Sequence, residues 1–348
     1  MKVDFLLIGQ GLAGSILAYR LIKKGKKVRV FDTPKKNLSS RVAAGLYNPI
    51  TGRKMLKTWR ADDLFPEIEQ FYSELETETK TSFLERTAIY RPFLTIEEQN
   101  EWMGKSAELN FQPYVEKVLK KSLNSSINDP FGGILLKNCG WLDTKKFLDA
   151  MSCWLGDQLI QDEFEESNLQ RIEDGWKYEN FESSALIYCN GIGAMNSSFF
   201  SYLPFAPSKG EILEVRQGYD PNLIINRGVF RVGLGEGKFR VGSTYTHHDL
   251  EKGPTEKSKN ELIRRLGDLM NEPLVEIIGH KHGIRPATRD RKPFLGKHPK
   301  EEGVYSFNGF GAKGVSLIPY FSKIMIDYII ENKRLDKEID IERYFNYI

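Results

Sequence analysis

The sequence has little cysteine, no long apolar run and almost no excess of charge of either sign. Its three cysteines, Cys139, Cys153 and Cys189, are widely spaced and form no Cys-x-x-Cys pair, so we expect neither a disulfide framework nor a zinc site. No stretch has the roughly 20 apolar residues that a membrane-spanning helix needs. No secretory signal is visible, because the apolar run at residues 3–8 ends at Gly9. We therefore expect a cytoplasmic protein with no membrane span.

The balance of charge excludes few partners by itself. The chain has 50 basic and 47 acidic residues, which gives a formal charge of +3. So small an excess does not indicate a nucleic-acid-binding protein, although a tRNA partner stays open. No arrangement of Ser, His and Asp, or of Cys and His, suggests covalent catalysis, and we expect no metal site. With 348 residues, the chain is expected to form two domains or one elaborated α/β body.

The N-terminal segment has the pattern of a β-α-β unit. Residues 3–8 form a short apolar run that is typical of a buried parallel strand, and residues 11–24 carry apolar side chains at helical spacing. A second apolar run at residues 28–31 predicts a second strand. Residues 9–14, between the first strand and the helix, match Gly-x-Gly-x-x-Gly. This combination predicts a Rossmann unit that binds a dinucleotide.

Each glycine of this motif has its own physical role. Gly9 allows a tight turn, Gly11 lets the backbone approach a pyrophosphate, and Gly14 lets helix and strand pack closely. The N-terminus of the helix offers free N–H groups to the phosphates, and a carboxylate after the second strand meets the ribose hydroxyls. The residues that we expect to bind the dinucleotide here are Gly9, Gly11, Leu12, Ala13, Gly14, Asp32 and Thr33. The motif does not distinguish NAD from FAD.

Similar patterns recur in the middle of the chain and near its C-terminus. Residues 185–188 predict a buried strand that ends in a turn at residues 189–191, and residues 304–307 predict a last strand. A glycine-rich turn at residues 309–314 and an amphipathic helix at residues 315–330 follow it. Such a turn at a helix N-terminus could hold a flavin ring on its backbone groups, which favours FAD over NAD.

These patterns predict an α/β fold with two interleaved domains. One is a Rossmann-type dinucleotide-binding domain, and the other is an α+β substrate domain built on a mostly antiparallel sheet, because residues 207–247 contain short strands separated by glycine. The predicted boundaries are 1–60, 135–205 and 280–348 for the first domain, and 61–134 and 206–279 for the second. Further helices are predicted at 60–76, within 95–122, at 144–155 and at 256–270.

The motifs along the chain resemble those of the FAD-dependent D-amino acid oxidase family, and within it the glycine and sarcosine oxidase branch. The most specific match is Gly283-Ile284-Arg285-Pro286-Ala287-Thr288, followed by Asp290, Pro293 and Gly296. The other matches are the N-terminal glycines, Ser40-Arg41-Val42-Ala43-Ala44-Gly45, Cys189-Asn190-Gly191, Pro207-Ser208-Lys209-Gly210-Glu211, Val241-Gly242-Ser243-Thr244 and residues 309–319. The middle match keeps only the glycine of the family's Ala-Thr-Gly, and Asp32 replaces the commoner Glu.

The resemblance implies that the cofactor is FAD and that the small-residue loop at residues 40–45 lies along the flavin. The C-terminal loop has no cysteine, so the covalent flavin link of some sarcosine oxidases is not expected. The further residues that the resemblance implies as FAD-binding are Arg41, Ala43, Ala44, Gly45, Leu46, Phe164, Cys189, Asn190, Gly191, Gly309, Gly311, Ala312, Lys313, Gly314 and Val315.

The resemblance also implies a reaction, the oxidation of the C–N bond of a small amine or amino acid such as glycine, sarcosine or a D-amino acid. Hydride would pass to flavin N5, the imine would hydrolyse, and oxygen or another acceptor would reoxidise the flavin. Arg285 would hold the substrate carboxylate with its guanidinium fork. Lys313 would face the flavin edge where negative charge develops. Tyr245 and His248 are expected to approach the same pocket.

Three other interpretations stay open. Residues 309–314 and 44–49 also resemble the oxidase domain of the bifunctional tRNA wobble-uridine modification enzyme, whose substrate is an N-substituted glycine. A FAD-dependent 2-hydroxy-acid dehydrogenase would bind a carboxylate in the same way. A flavin-binding protein without enzymatic activity would leave Arg285 without a purpose. The sequence indicates neither the exact substrate, nor the electron acceptor, nor the oligomeric state.

Overall fold

The computed structural model describes residues 1–33 and 39–347. In this part of the chain the helices are α1 (Leu12–Lys23), α2 (Ser39–Val42), α3 (Ala61–Thr79), α4 (Ile96–Lys105), α5 (Thr144–Leu155), α6 (Glu256–Leu269) and α7 (Gly314–Glu331). The strands are β1 (Lys2–Ile8), β2 (Val28–Phe31), β3 (Leu46–Tyr47), β4 (Ile50–Thr51), β5 (Leu56–Lys57), β6 (Leu84–Glu85), β7 (Ile89–Pro92), β8 (Val115–Leu119), β9 (Gly133–Leu136), β10 (Gly140–Leu142), β11 (Leu159–Ile160), β12 (Gln170–Ile172), β13 (Gly175–Tyr178), β14 (Phe181–Tyr188), β15 (Ser208–Arg216), β16 (Ile224–Arg227), β17 (Val229–Gly235), β18 (Lys238–Gly242), β19 (Glu276–Arg285), β20 (Phe294–Lys297) and β21 (Val304–Asn308). Short 3₁₀ helices lie at Gly156–Gln158, Glu166–Asn168, Gly191–Asn196 and Ile341–Tyr347.

The first sheet has a parallel centre. β1 pairs in parallel with β2 on one side and with β14 on the other, β11 continues beyond β2, and β21 lies beside the C-terminal half of β14. β20 pairs antiparallel with β21, and β12 and β13 form an antiparallel extension on the N-terminal half of β14. The carboxyl ends of the parallel strands therefore share one edge, which is where ligands bind in open α/β sheets.

β1 is buried on both faces, which explains its nearly continuous apolar sequence. Phe5 and Leu7 belong to the larger hydrophobic core, together with residues of α1 and α7, while Leu6 and Ile8 belong to a separate core on the other face. α1 and α7 pack side by side over the sheet, and α3 packs on α7. The first sheet is thus covered on both sides, as a Rossmann-type sheet requires.

The second sheet has the strand order β19–β15–β18–β17–β16–β7–β9–β8, and every neighbouring pair is antiparallel except β16 with β7. α6 covers one face, where Leu262 and Leu266 pack with Leu213 of β15. Ile224 and Val232, in contrast, belong to the larger core that the first sheet shares. The second sheet therefore packs on α6 with some residues and on the first domain with others.

The predicted fold class, a Rossmann-type domain interleaved with a domain on a mostly antiparallel sheet, is confirmed. The strands of the first sheet come from residues 2–31, 159–188 and 294–308, and those of the second from residues 89–136 and 208–285. The chain therefore passes between the two sheets several times. The domain boundaries given above stay a prediction.

The helices agree with the sequence pattern except in one segment. α3, α5, α6 and α7 lie close to their predicted bounds, but α4 ends at Lys105 and β8 follows where a helical pattern was expected. Val115 pairs with Leu136 in β9, so pairing with an apolar strand outweighs the charged pattern of this segment. Among the described residues, no helix combines the length and the apolar character needed to cross a membrane.

Replacing Phe147 with alanine tests the packing of the larger core. Phe147 is fully buried in α5, and its ring meets those of Tyr72 and Phe83 edge-on at centroid distances of 5.8 and 5.2 Å. The cavity should lower the free energy of unfolding by about 3–5 kcal/mol in a urea titration. The control is Leu109→Ala at an 83% exposed position, which should change it by less than about 0.5 kcal/mol. Equal effects of both substitutions would contradict this packing.

Candidate functional site

The turn between β1 and α1 is built from glycines that admit no side chain. Gly9 has a φ of +101°, and a Cβ on Gly14 would lie 1.8 Å from the carbonyl oxygen of Gly9. Gly11 is the N-cap of α1 and makes no side-chain cap, while Leu12 and Ala13 are buried in the first turn of the helix. Because only glycine fits at positions 9 and 14, α1 begins directly against the end of β1, and its first N–H groups lack intrahelical partners.

Asp32 follows β2 and lies beside this turn. Its Oδ1 accepts a hydrogen bond from the backbone N–H of Gln10 at 2.9 Å. Burial raises the pKa of the carboxyl group, while the Gln10 N–H and the charge of Arg41 oppose that rise. Arg41 itself is paired with Asp149 at 2.6 Å, and the half-buried Thr33 follows Asp32. Within the described residues Asp32 Oδ2 has no hydrogen-bond partner, so it is available to ligand hydroxyls.

The segment from residue 40 to residue 46 runs alongside the turn. Ser40 Oγ accepts a hydrogen bond from the backbone N–H of Leu12 at 3.3 Å. The carbonyl oxygen of Ala43 accepts from Thr144 Oγ1 at 3.2 Å and from Arg240 Nη1 at 3.4 Å. The segment is therefore held between α5 on one side and the second sheet on the other.

Within the same segment, the backbone conformation and the close packing at position 45 require glycine. Its φ is +74°, and a Cβ would lie 1.9 Å from the carbonyl oxygen of Leu142, whose N–H donates to Gly45 at 3.0 Å. Ala44 before it is half-buried, and Leu46 after it begins β3, which pairs with β10. The backbone of this segment thus lies against β10 with no room for a larger residue at position 45.

The loop after β14 lies against the glycine turn. A Cβ on Gly9 would be 2.8 Å from Asn190 Cα, and the Cys189 N–H donates to the last carbonyl of β1 at 2.8 Å. Gly191 has a φ of +59°, and its carbonyl accepts from the side-chain amide of Asn308 at 2.9 Å. Asn190 Oδ1 is buried and has no partner in the described part of the chain. Because buried acceptors are rarely left unpaired, this oxygen fits a ligand donor.

The C-terminal glycine turn brings a second helix N-terminus to the site. Gly309 and Gly311 have φ values of +78° and +54°, and the Gly311 N–H donates to the carbonyl of Pro286 at 3.1 Å. A Cβ on Gly314 would lie 3.5 Å from Leu12 Cδ1, so α7 begins beside the start of α1. The positive ends of two helix dipoles therefore lie together, which favours an anionic group.

Lys313 is the N-cap of α7 and places a cation at this point. Its Nζ lies 3.4 Å from Thr51 Oγ1 in β4. Burial lowers the pKa of this ammonium group, and the nearby Arg291 lowers it further. Ala312 on one side is exposed, and Val315 in the first turn of α7 is buried.

Arg285 ends β19, and its guanidinium group crosses β15 to reach the residues directly after β18. Nη2 donates to Ser243 Oγ at 2.6 Å, and Nη1 and Nη2 donate to the carbonyl of Thr244 at 3.3 and 3.2 Å. Its Cζ lies 4.3 Å from the ring centroid of Tyr245. A Cβ on Gly210 of β15 would be 1.9 Å from Nη2, so glycine there makes room for the crossing.

The structure brings some of the predicted residues together and not others. Arg285 and Tyr245 are in contact, whereas His248 is exposed and has no side-chain partner in residues 1–33 and 39–347. The ring of Phe164 stacks on Tyr178 at 4.4 Å in the separate core of the first sheet. Whether these side chains contact cofactor or substrate stays a prediction.

The sequence analysis did not single out Ser40, Thr51, Ser243 or Thr244 as candidate site residues. Ser243 and Thr244 stand in the matched motif at residues 241–244, but their contact with Arg285 depends on the order of three strands, β19, β15 and β18. Gly210 in β15 is the sequence signal that could have indicated this contact. A glycine in a strand leaves room for a side chain from a neighbouring strand to pass over it.

The geometry fits a dinucleotide with a flavin. Two helix N-termini are positioned for a pyrophosphate, and Asp32 has one oxygen without a partner among residues 1–33 and 39–347, which suits ribose hydroxyls. At Gly9, Gly14 and Gly45 neighbouring backbone atoms occupy the space of a side chain, so these glycines let the segments around the site pack closely. Lys313 and Arg285 add two cations, which are held in place by different sheets.

Gly45→Ala should lower the FAD content of the purified protein to well below one per chain. A Cβ at this position clashes with the Leu142 carbonyl, which displaces the segment from residue 40 to residue 46. Gly25→Ala is the matched control, because Gly25 has a similar φ of +77° but no atom within 4 Å of a Cβ. It should cost about 1 kcal/mol of stability and leave the FAD content unchanged, as measured by the absorbance ratio of flavin to protein. Equal FAD loss in both variants would contradict this role.

Comparison with known proteins gives relatives over most of the chain. The bifunctional tRNA 5-methylaminomethyl-2-thiouridine biosynthesis protein MnmC of Leptospira borgpetersenii is 25% identical over 372 residues, covering 89% of this chain and 54% of that protein. Glycine oxidase of Pseudomonas aeruginosa is 25% identical over 128 residues, covering 36% of this chain and 35% of that protein. The chain thus spans about half the length of the MnmC proteins that it matches.

Solved structures share the fold at low sequence identity. Glycine oxidase from Geobacillus kaustophilus has a TM-score of 0.79 at 19% identity, covering 99% of this chain and 98% of that chain. Iminodiacetate oxidase from Chelativorans sp. BNC1 has a TM-score of 0.75 at 18% identity, covering 98% of both chains. At this identity the likeness concerns the fold.

A family-level match over most of the chain identifies the cofactor. The match extends over residues 4–328, and the family is described as FAD dependent oxidoreductase, abbreviated DAO. The resemblance stated from the motifs is thereby confirmed, and the expected cofactor with it. This chain belongs to the FAD dependent oxidoreductase family and is an enzyme that uses FAD.

Proposed function

We propose that this enzyme oxidises the C–N bond of a small amine that carries a carboxylate, such as glycine, sarcosine or a D-amino acid. The observation that carries the proposal is the placement of Arg285. Ser243, Thr244 and Tyr245 hold its guanidinium group in one orientation, and these contacts leave N–H groups for a ligand. Because both Nη2 N–H groups are used, the Nε N–H, one Nη1 N–H and the charge of the group remain to bind a carboxylate.

Oxidation of such a substrate needs orientation more than acid–base chemistry. When bound, FAD would supply a hydride acceptor at N5, so that a neutral amine could lose hydride from its Cα–H bond, the resulting imine could be hydrolysed by water, and oxygen or another acceptor could take the electrons. Arg285 fixes the carboxylate end, which orients the Cα–H bond. Tyr245, 65% exposed, lies over the guanidinium group and limits access of water to it.

Lys313 and the N-terminus of α7 supply fixed positive charge. The ammonium group is half-buried beside Thr51, and the dipole of α7 begins at the same residue. Fixed charges in a site of low dielectric stabilise negative charge that develops during a reaction without reorganising. We propose that they face the flavin edge that becomes anionic on reduction.

Arg285→Lys and Arg285→Met test the carboxylate site. Loss of a charge-assisted hydrogen bond should raise the KM for the best amino-acid substrate at least about tenfold, with FAD content unchanged. Arg289→Met is the matched control, since Arg289 is an exposed arginine four positions away that has no side-chain partner among the described residues. An unchanged KM in the Arg285 variants would remove this residue from the substrate site.

A peroxide assay with glycine, sarcosine and a panel of D-amino acids identifies the substrate class. Oxidation of any of them, with hydrogen peroxide formed or a dye reduced, is the expected result. Reduction of a dye by a 2-hydroxy acid, with none of the amines oxidised, would instead indicate a dehydrogenase that uses the same arginine.

A second candidate is an N-substituted glycine carried on a tRNA, and two observations favour it. MnmC matches 89% of this chain, whereas glycine oxidase matches 36%. In addition, Arg53 and Lys54 are exposed in the turn after Thr51, and Arg291 is exposed close to Lys313. None of these three cations has an acidic partner within the described residues, which suits a polyanion near the site.

The double substitution Arg53→Ala with Lys54→Ala separates the two candidates. If a tRNA is the substrate, its kcat/KM should fall, and the salt dependence of binding should weaken by a slope of about 0.9 for each phosphate that the variant no longer neutralises. Lys24→Ala with Lys27→Ala, at the opposite end of α1, is the control of equal charge change. If neither double substitution changes the activity on free amino acids, and no tRNA is turned over, only the small-amine proposal stands.

A further inference from the structure

We propose that Arg91, in β7 of the second sheet, is a positioning residue that fixes Thr51 and, through Thr51, the ammonium group of Lys313. This inference rests on the role proposed above for Lys313 at the flavin edge. It adds a residue from the second domain that touches neither cofactor nor substrate.

The guanidinium group of Arg91 fixes the backbone on both sides of Thr51. Arg91 is only 5% exposed. Its Nη1 donates to the carbonyl of Ile50 at 3.0 Å, and its Nη2 donates to the carbonyl of Gly52 at 2.9 Å. These two carbonyls belong to the residues directly before and after Thr51. Because the guanidinium group is planar and rigid, one side chain thereby sets the position of the intervening residue.

The hydroxyl group of Thr51 is oriented to accept a hydrogen bond from Lys313. Thr51 Oγ1 lies 3.3 Å from Thr58 Oγ1, and Thr58 Oγ1 donates its own proton to the carbonyl of Asn48 at 3.0 Å. A hydroxyl group has one proton, so Thr51 is the donor in the bond to Thr58. The lone pairs of Thr51 Oγ1 then face Lys313 Nζ, which is 3.4 Å away.

Lys313 depends on this contact for its position. In the described part of the chain, Thr51 Oγ1 is the hydrogen-bond acceptor of its ammonium group, and no carboxylate pairs with it. Burial and the repulsion from Arg291 both disfavour the charged form. A lysine side chain has four rotatable bonds, so without an acceptor its charge would not stay at one place.

A merely structural role explains Arg91 poorly. Its bonds go to two neutral carbonyls, its Nε has no partner in the described part of the chain, and the nearby carboxylate of Glu98 is paired with Arg227 instead. Burial lowers the pKa of Arg91 to about 10, and the charge of Arg227 contributes. A neutral amide can hold two carbonyls at a smaller desolvation cost, as Asn271 does with those of Ser125 and Ile127, so backbone packing alone does not require a buried charge at position 91.

Sulfite titration of the FAD-loaded enzyme tests the proposal without turnover. Sulfite adds to flavin N5 and leaves negative charge on the ring, so its Kd reports how well a cation is placed at the edge. Arg91→Met should raise the Kd for sulfite about tenfold, as Lys313→Met and Thr51→Val should. Combining Arg91→Met with Thr51→Val should add little to either change, because both remove the same link.

Arg231→Met is the matched control for loss of a buried arginine. Arg231 lies in β17 of the same sheet, is fully buried, and bonds to Gln217 and to the carbonyl of Tyr219. It should lower stability in the same way as Arg91→Met but change the Kd for sulfite by less than about twofold. If Arg91→Met folds poorly, Arg91→Lys keeps the charge and can reach one carbonyl, and it should still weaken sulfite binding.

Two results would overturn the proposal. One is a Kd for sulfite in both Arg91 variants that equals that of Arg231→Met. The other is a Kd unchanged by Lys313→Met, which would remove the cation from the flavin edge. Neither result bears on amine oxidation, because the Arg285 variants and the peroxide assay test that reaction separately.

Discussion

The close approach of Gly14 to the carbonyl of Gly9 is the contact on which the rest of the site depends. It seats the start of α1 against the end of β1, so the free N–H groups of the helix face the edge of the sheet. The loop at residues 189–191 packs on Gly9, and α7 begins beside Leu12. A side chain at Gly9 or Gly14 would therefore displace the elements that meet here, and with them the surface that is proposed to bind FAD.

Positive charge is concentrated at this edge although the chain as a whole is nearly neutral. The excess of basic over acidic residues is only three, yet two helix N-termini and two half-buried cations, Lys313 and Arg285, are placed around the site. Asp32 is the carboxylate among them, and its pKa is raised because burial outweighs the donors near it. Local placement, and not net charge, produces this concentration of positive charge.

The second sheet contributes to the site through arginines whose side chains bond to groups outside their own strands. Arg240 donates to the carbonyl of Ala43, Arg91 donates to both carbonyls that flank Thr51, and Arg285 crosses Gly210 to reach the residues directly after β18. Long, planar, permanently charged side chains suit this purpose, since each can donate several hydrogen bonds to groups outside its own strand. The segment at residues 40–52 is thus held from the second sheet by Arg240 and Arg91.

The amino-acid sequence alone was sufficient for the Rossmann unit, most helices and the interleaved α/β class, because these follow from local patterns such as Gly-x-Gly-x-x-Gly and 3.6-residue periodicity. FAD, in contrast, was predicted from the resemblance of motifs along the whole chain to a family, since the glycine motif by itself does not distinguish FAD from NAD. It was insufficient for the segment at residues 95–122, where β8 forms because an apolar strand from a later part of the chain lies beside it. It also left unseen the partners of Arg285 and Lys313. Ser243, Thr244 and Thr51 lie 42, 41 and 262 residues from them along the chain. Only the tertiary structure decided these contacts, because strand order and domain packing bring together groups whose separation in sequence carries no periodic signal.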